Sequence, residues 1–163
     1  MVSGATVSEP EVPPMDPVGH VIGPRSDPAD DGWGNVESTI RIDDRFPLDA
    51  LQGLDGFSHI EVVYSFHKAD PAKTTMGARR PRGLAHLPEV GIFAQRNKDR
   101  PNHIGVSRCE LLGVEGRDLG VRGLDAIDGS PVLDVKPYLA IFSLPGEVIR
   151  EPAWVEEISR RYF

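Results

Sequence analysis

The chain has 163 residues, 39% of them apolar and 26% charged, which suffices for one domain with a real core and falls short of two. Its formal charge of −7 argues against a general polyanion binder, because phosphate affinity is built from many Lys and Arg contacts. A single cysteine, Cys109, excludes an intrachain disulfide and a cysteine-rich zinc site and fits a reducing, cytoplasmic setting.

Residues 1–16 are rich in acids and prolines and poor in large apolar groups, so they read as a disordered N-terminal tail. No basic start with an apolar run follows, and no stretch reaches the length of a membrane span, so a soluble chain is expected. Val18 to Ile22 predicts a short strand, residues 24–32 a loop, and Val36 to Ile42 a half-buried strand by its alternation. Phe46, Leu51 and Leu54 are spaced for one face of a short helix or turn. Ser58 to His67, rich in β-branched and aromatic residues, predicts a central strand. Lys68 to Pro88 carries Pro71, Gly77, Pro81 and Gly83 without sustained periodicity and reads as a long loop, ordered or partly mobile. Strands are expected again at 90–96, 106–114, 118–124 and 132–136, at the spacing of an antiparallel sheet or barrel. After Pro152, Ala153 to Tyr162 predicts a short helix with its acids ahead of its arginines. The chain is thus mostly β, with a barrel domain over 17–140 and a C-terminal extension over 141–163.

Charge is distributed unevenly along this frame. Between His67 and Ile104 there are eight Lys or Arg residues against three acids, and Lys73, Arg79, Arg80 and Arg82 in the long loop form a possible docking surface for an anionic substrate. The run Gly91-Ile92-Phe93-Ala94-Gln95-Arg96-Asn97-Lys98-Asp99-Arg100-Pro101-Asn102 breaks from a strand pattern into guanidinium donors and open peptide groups, as a ligand site at a sheet end requires. A solvated turn with surface ion pairs accounts for Arg96 and Arg100 equally well. In Asp134-Val135-Lys136-Pro137-Tyr138, the period of two places Asp134, Lys136 and Tyr138 on one face, and Pro137 marks where ladder pairing stops. His67, at a strand end beside the basic loop, is a general-base candidate or a hydrogen-bonded surface histidine. His59 and His67 lie eight residues apart on one strand and no nearby acid completes a set, so no metal site is expected. Dinucleotide, P-loop, zincin and nucleophile-elbow patterns are all missing.

Three ordered blocks carry a resemblance. Leu54 to His67 (L-x-G-F-S-H-I-x-V-x-Y-x-F-H), Gly91 to Ser107 (G-I-F-A-Q-R-x-x-x-R-P-N-x-I-G-x-S) and Asp128 to Tyr138 (D-G-S-P-V-L-D-V-K-P-Y) resemble the TrmO/TsaA-like family of S-adenosylmethionine-dependent methyltransferases. That likeness implies a small antiparallel β-barrel, a homodimer with S-adenosylmethionine at its interface, and methylation of N6 of threonylcarbamoyl-adenosine next to a tRNA anticodon. It places Phe93, Ala94, Arg96, Arg100, Pro101, Asn102, Ile104, Gly105, Ser130 and Lys136 in cofactor binding, with Asp134, His67 or Tyr138 available as proton acceptor. Gln95 and His103 depart from the common pattern of Thr and Pro, which leaves two alternatives open: a transferase acting on a small molecule, and a non-catalytic binding module.

Overall fold

Six strands close into an antiparallel barrel, and the sequence explains the closure through its alternation of apolar and polar residues. The computed structural model describes residues 13–143, 146 and 149–163. Most of the predicted tail, residues 1–12, lies outside the described residues, and residues 13–16 are exposed without regular structure. The strands are β1 (Gly19–Ile22), β2 (Glu37–Ile42), β3 (His59–Ser65), β4 (Ala78–Arg79), β5 (Val90–Gly91), β6 (Ile104–Glu115), β7 (Asp118–Arg122) and β8 (Pro131–Pro137). The barrel order is β1-β2-β7-β6-β3-β8, closed by pairing of Gly19 with Val132 and His20 with Pro131, while β4 and β5 form a separate two-stranded ribbon.

Alternate residues of each barrel strand point inward. Val21, Ile40, Ile60, Val62, Leu119, Val121 and Val132 are fully buried, as expected when each strand has one solvated face. On β8 a register shift opposite Val63 and Tyr64 leaves Leu133 as an extra residue. Without it Val132 and Asp134 would share a face; with it Val132 and Val135 both meet the core and Asp134 turns outward. Asp134, Lys136 and Tyr138 therefore do line up together, as the period of two predicts, and β8 ends at Pro137. The twelve-residue β6 also carries a register shift, between Leu111 and Gly113, which bends this long strand around the barrel wall.

The predicted strand at 90–96 is corrected by the structure. Only Val90 and Gly91 pair, with Ala78 and Arg79, and Ile92–Ala94 then turns in a 3-10 helix. β3 is already flanked by β6 and β8, so this segment has only the short ribbon to bond with. The Gln95 side chain ends the ribbon, its Nε2 donating to the carbonyls of Arg79 and Val90 at 2.9 Å each. Within the long 68–88 loop, two further 3-10 turns form at Pro71–Lys73 and Pro81–Gly83. The helical expectation near Phe46 is met by 3-10 turns at Leu48–Leu51 and Leu54–Gly56, whose Leu51 and Leu54 pack with Phe46 against one end of the core.

The connections 23–36, 66–103 and 123–130 all leave the opposite rim, where β1, β3 and β7 end and β2, β6 and β8 begin. That rim is where a site can be built. The helix α1 (Ala153–Ser159) also comes to it, shorter than predicted because the chain beyond it tightens into a turn, closed by the Tyr162 N–H on the Ser159 carbonyl, that faces the 32–33 loop. Arg161 and Tyr162 accept backbone hydrogen bonds there from Gly32 at 2.9 Å and Trp33 at 2.8 Å.

Gly105, on β6, shows how tightly this rim is packed. A Cβ at that position would sit 2.5 Å from Cζ of the Tyr64 ring, so only glycine lets the buried ring lie against the strand. Gly105→Ala is expected to cost ~1–3 kcal/mol of stability as an overpacked core position, read as a lower midpoint in urea unfolding.

Candidate functional site

A cavity of about 580 Å³ lies at the loop rim of the barrel. Its floor is the mouth of the barrel itself, with Tyr64 from β3, Ser107 from β6 and Asp125 to Ser130 from the connection into β8. One wall is the turn Ala94 to Lys98, and the facing walls are the 28–33 loop and residues 151–163.

Asp125 is the hub of the floor. The Tyr64 hydroxyl donates to its backbone carbonyl at 3.0 Å and to Oδ1 at 2.8 Å, and the Tyr162 hydroxyl donates to Oδ2. Burial pushes both phenols far above their usual range and the Asp125 charge adds to it, so both remain protonated donors. The carboxylate is thereby held in one orientation from two sides. On the 28–33 wall, Trp33 is buried, its indole donates to the Ala29 carbonyl at 3.2 Å, and the Arg25 guanidinium lies 3.9 Å from its ring centre.

Two cations of the cavity lining have no carboxylate partner among the described residues. Arg96 donates from Nη2 to the Val106 carbonyl at 2.5 Å, and Lys68 donates to the Ser26 carbonyl at 3.0 Å. Each charge is therefore available to an anionic group of a guest. Arg82, by contrast, is engaged: it forms a forked pair with Asp31 at 2.7 and 3.0 Å, and that hydrogen-bonded pairing holds the Asp31 carboxyl below its usual range.

Of the residues expected to bind cofactor, Ala94, Arg96 and Ser130 line this cavity. The others do not line it. Arg100 braces the turn, donating to the Gln95 carbonyl at 2.9 Å, and Pro101 and Asn102 form a 3-10 turn in which Asn102 has a φ of 65°. Ile104 starts β6 opposite Ser65, Gly105 packs on Tyr64, and Phe93 is 78% exposed. Lys136 is on the outer face of β8, in an ion pair with Asp134 at 2.5 Å.

The three proton-acceptor candidates do not converge. Asp134 and Tyr138 are on that outer face, where the Arg108 guanidinium stacks 3.5 Å from the Tyr138 ring centre, and the Tyr138 hydroxyl bonds Ser143. His67 follows β3, with Nε2 3.7 Å from where a Cβ on Gly129 would sit. Desolvation first, and Lys68 second, lower its pKa against the pull of Asp128, so the imidazole is neutral at neutral pH. Burial, with Asp125 adding to it, pushes the Cys109 thiol up to about 12, so Cys109 is a core residue and no nucleophile.

In the expected docking loop, Lys73 is exposed, Arg79 pairs with Asp99 at 3.2 Å, and Arg80 pairs with Glu89 at 3.8 Å. Sequence reasoning missed Trp33, Asp125, Trp154 and Tyr162. Asp125 stands three residues before the 128–138 block, and Trp33 falls in an otherwise polar segment, which are the signals that were there to read.

A closed six-stranded barrel with a cavity among the loops of one rim defines a β-barrel protein, built without the parallel sheet of the common nucleotide-binding classes. Residues 26–143 match the family model of the tRNA-methyltransferase O N-terminal domain, and the chain belongs to that family. It is 46% identical over 128 residues to a probable S-adenosyl-L-methionine-binding protein of Methanothermobacter thermautotrophicus, covering 75% of this chain and 87% of that one. It is 40% identical over 95 residues to the tRNA (adenine(37)-N6)-methyltransferase of Escherichia coli, covering 56% of this chain and 40% of that enzyme. The crystal structure of TrmO from Pseudomonas aeruginosa superposes with a TM-score of 0.69 at 28% identity, over 85% of this chain and 61% of that one. The chain thus spans most of the archaeal relative and less than two thirds of the two bacterial proteins.

Proposed function

We propose that the rim cavity binds S-adenosylmethionine and that the protein transfers its methyl group to N6 of threonylcarbamoyl-adenosine next to the anticodon of a tRNA. One observation carries the reading: Arg96 and Lys68, without carboxylate partners among the described residues, share a cavity of about 580 Å³ with buried Trp33 and the fixed carboxylate of Asp125. That volume is in the ~300–1,000 Å³ range of small-molecule sites. The donor set matches the guest's chemistry. A guanidinium and an ammonium suit its carboxylate, the apolar lining suits its adenine, and Asp125 complements its positive charge.

Bound there, S-adenosylmethionine supplies a methyl group activated by its sulfonium. The protein's part is alignment and exclusion of water, and positioning alone can lower such a barrier by ~7–11 kcal/mol. The acceptor, a urea N–H, also loses its proton as the methyl–sulfur bond breaks and the neutral thioether is left behind. His67, neutral and at the rim, Asp134 and Tyr138 are the groups we propose to test for that role. The reading includes a homodimer with the cofactor at its interface, and Arg108, which lines the cavity and stacks on Tyr138, joins the cavity to the outer face that bears Asp134 and Tyr138. A cytoplasmic setting follows from a tRNA acceptor.

The test is incubation with methyl-labelled S-adenosylmethionine and total cell extract, followed by separation of RNA from metabolites. Label is expected in tRNA, on N6 of the hypermodified adenosine. Label among metabolites would assign a small-molecule acceptor, a reading favoured by the net charge of −7 and the ion-paired arginines of the loop. Cofactor bound with label in neither fraction would leave a binding module. With tRNA in hand, joint replacement of Arg79, Arg80 and Arg82 by Ala is expected to flatten the salt dependence of binding, by ~0.9 in log–log slope for each phosphate no longer neutralised. An unchanged slope would remove this loop from the RNA surface.

A further inference from the structure

The segment Ala153–Phe163 lies outside residues 26–143 matched by the family model, yet it walls the cavity. Trp154, Val155 and Ile158 of α1 are half-buried and line the cavity, Ile158 standing four residues from Trp154 and three from Val155 on one helix face. Four ties hold the segment in place. Gly32 and Trp33 donate backbone N–H groups to Arg161 and Tyr162, the Tyr162 hydroxyl bonds Asp125, and Glu157 bonds His86 at 2.8 Å. Gly34 presses on its end, where a Cβ would meet the carbonyl carbon of Phe163 at 2.9 Å.

These ties reach the 30s loop, the 80s loop and the cavity floor at once, which is more than is needed to park a surface helix. From this arrangement, and resting on the cofactor reading above, we infer that Ala153–Phe163 is a binding element for S-adenosylmethionine, with Trp154 as the aromatic surface on which its adenosine packs. The cations Arg96 and Lys68 then serve the carboxylate, while α1 supplies the flat apolar contact that the 94–98 turn lacks.

The experiment measures the dissociation constant of labelled S-adenosylmethionine by equilibrium dialysis for the full chain and for Trp154→Ala, Trp154→Phe and Gly34→Ala, with folding checked by circular dichroism. Trp154→Ala is expected to weaken binding about tenfold, the size of one aromatic stack on a base. Trp154→Phe is expected to restore most of it, which a merely structural helix would not require. Gly34→Ala, which touches no guest, displaces the Phe163 end and shifts affinity in the same direction. Hydrogen exchange on the unmutated chain is the second measurement, with amides of 153–163 slowed when S-adenosylmethionine is added. Wild-type affinity in folded Trp154→Ala, or exchange rates in 153–163 indifferent to the cofactor, overturns this inference and leaves the cofactor reading standing. A wild-type chain that binds no S-adenosylmethionine overturns both. Unchanged cofactor affinity with weakened RNA methylation would assign the wall to the acceptor and overturn the inference as stated.

Discussion

Arg96→Ala is expected to weaken S-adenosylmethionine binding by about 100-fold with little change in stability. Hydrogen bonds to charged groups contribute ~1.5–3 kcal/mol, and a guanidinium facing a carboxylate in a partly enclosed cavity stands at the upper end of that range. Arg96 is exposed and its side chain bonds only the Val106 carbonyl among the described residues, so its loss should move unfolding by less than ~0.5 kcal/mol. Arg96→Lys keeps the charge and loses the fork, and an intermediate affinity is expected. Isothermal titration of the three proteins distinguishes the cases. Equal affinity in all of them would take Arg96 out of the site.

Tyr64→Ala is expected to be the most destabilising single change considered, at ~3–5 kcal/mol, the usual cost of deleting a large core side chain. The ring is 1% exposed, meets Phe66 edge-on at 5.3 Å between centres, and fills the space that Gly105 leaves on β6. Tyr64→Phe separates the two parts of its role. It keeps the packing and removes the donor to Asp125, which should cost ~1.5–3 kcal/mol because the acceptor is charged. Urea unfolding of both variants gives the numbers. If Tyr64→Phe unfolds with the wild type, the hydroxyl does not hold Asp125 and the cavity floor is fixed by something else.

The barrel was largely legible in the sequence because burial of one strand face imposes a period of two, which β1, β2, β3, β6 and β7 display and β8 interrupts at Leu133. The segment at 90–96 was not. Its composition suits a strand, but strand length depends on which neighbours are free to pair, and the barrel closes without it. The site was legible in part. Arg96, Ala94 and Ser130 lie within contiguous motifs, whereas Asp125, Trp33 and Tyr162 become neighbours only when the 30s loop, the β7–β8 connection and the far end of the chain meet at one rim. No local pattern encodes that meeting. The line-up of Asp134, Lys136 and Tyr138 follows from spacing, but that their face is the outer one depends on the extra residue at Leu133, which spacing does not reveal.

The middle stretches of the 23–36 and 66–103 connections lie outside the ladders that fix the barrel's register and can change length and chemistry, whereas the 123–130 connection is built into the wall, with Leu124 and Ala126 in the core and Gly129 and Ser130 bonded to Val21. The scaffold acts as a socket of constant gauge, with two exchangeable fittings around one rim. Arg82, tied to Asp31 across two of those fittings, then works as a fastener between them, and loosening it would retune the opening while the wall below stays as it is.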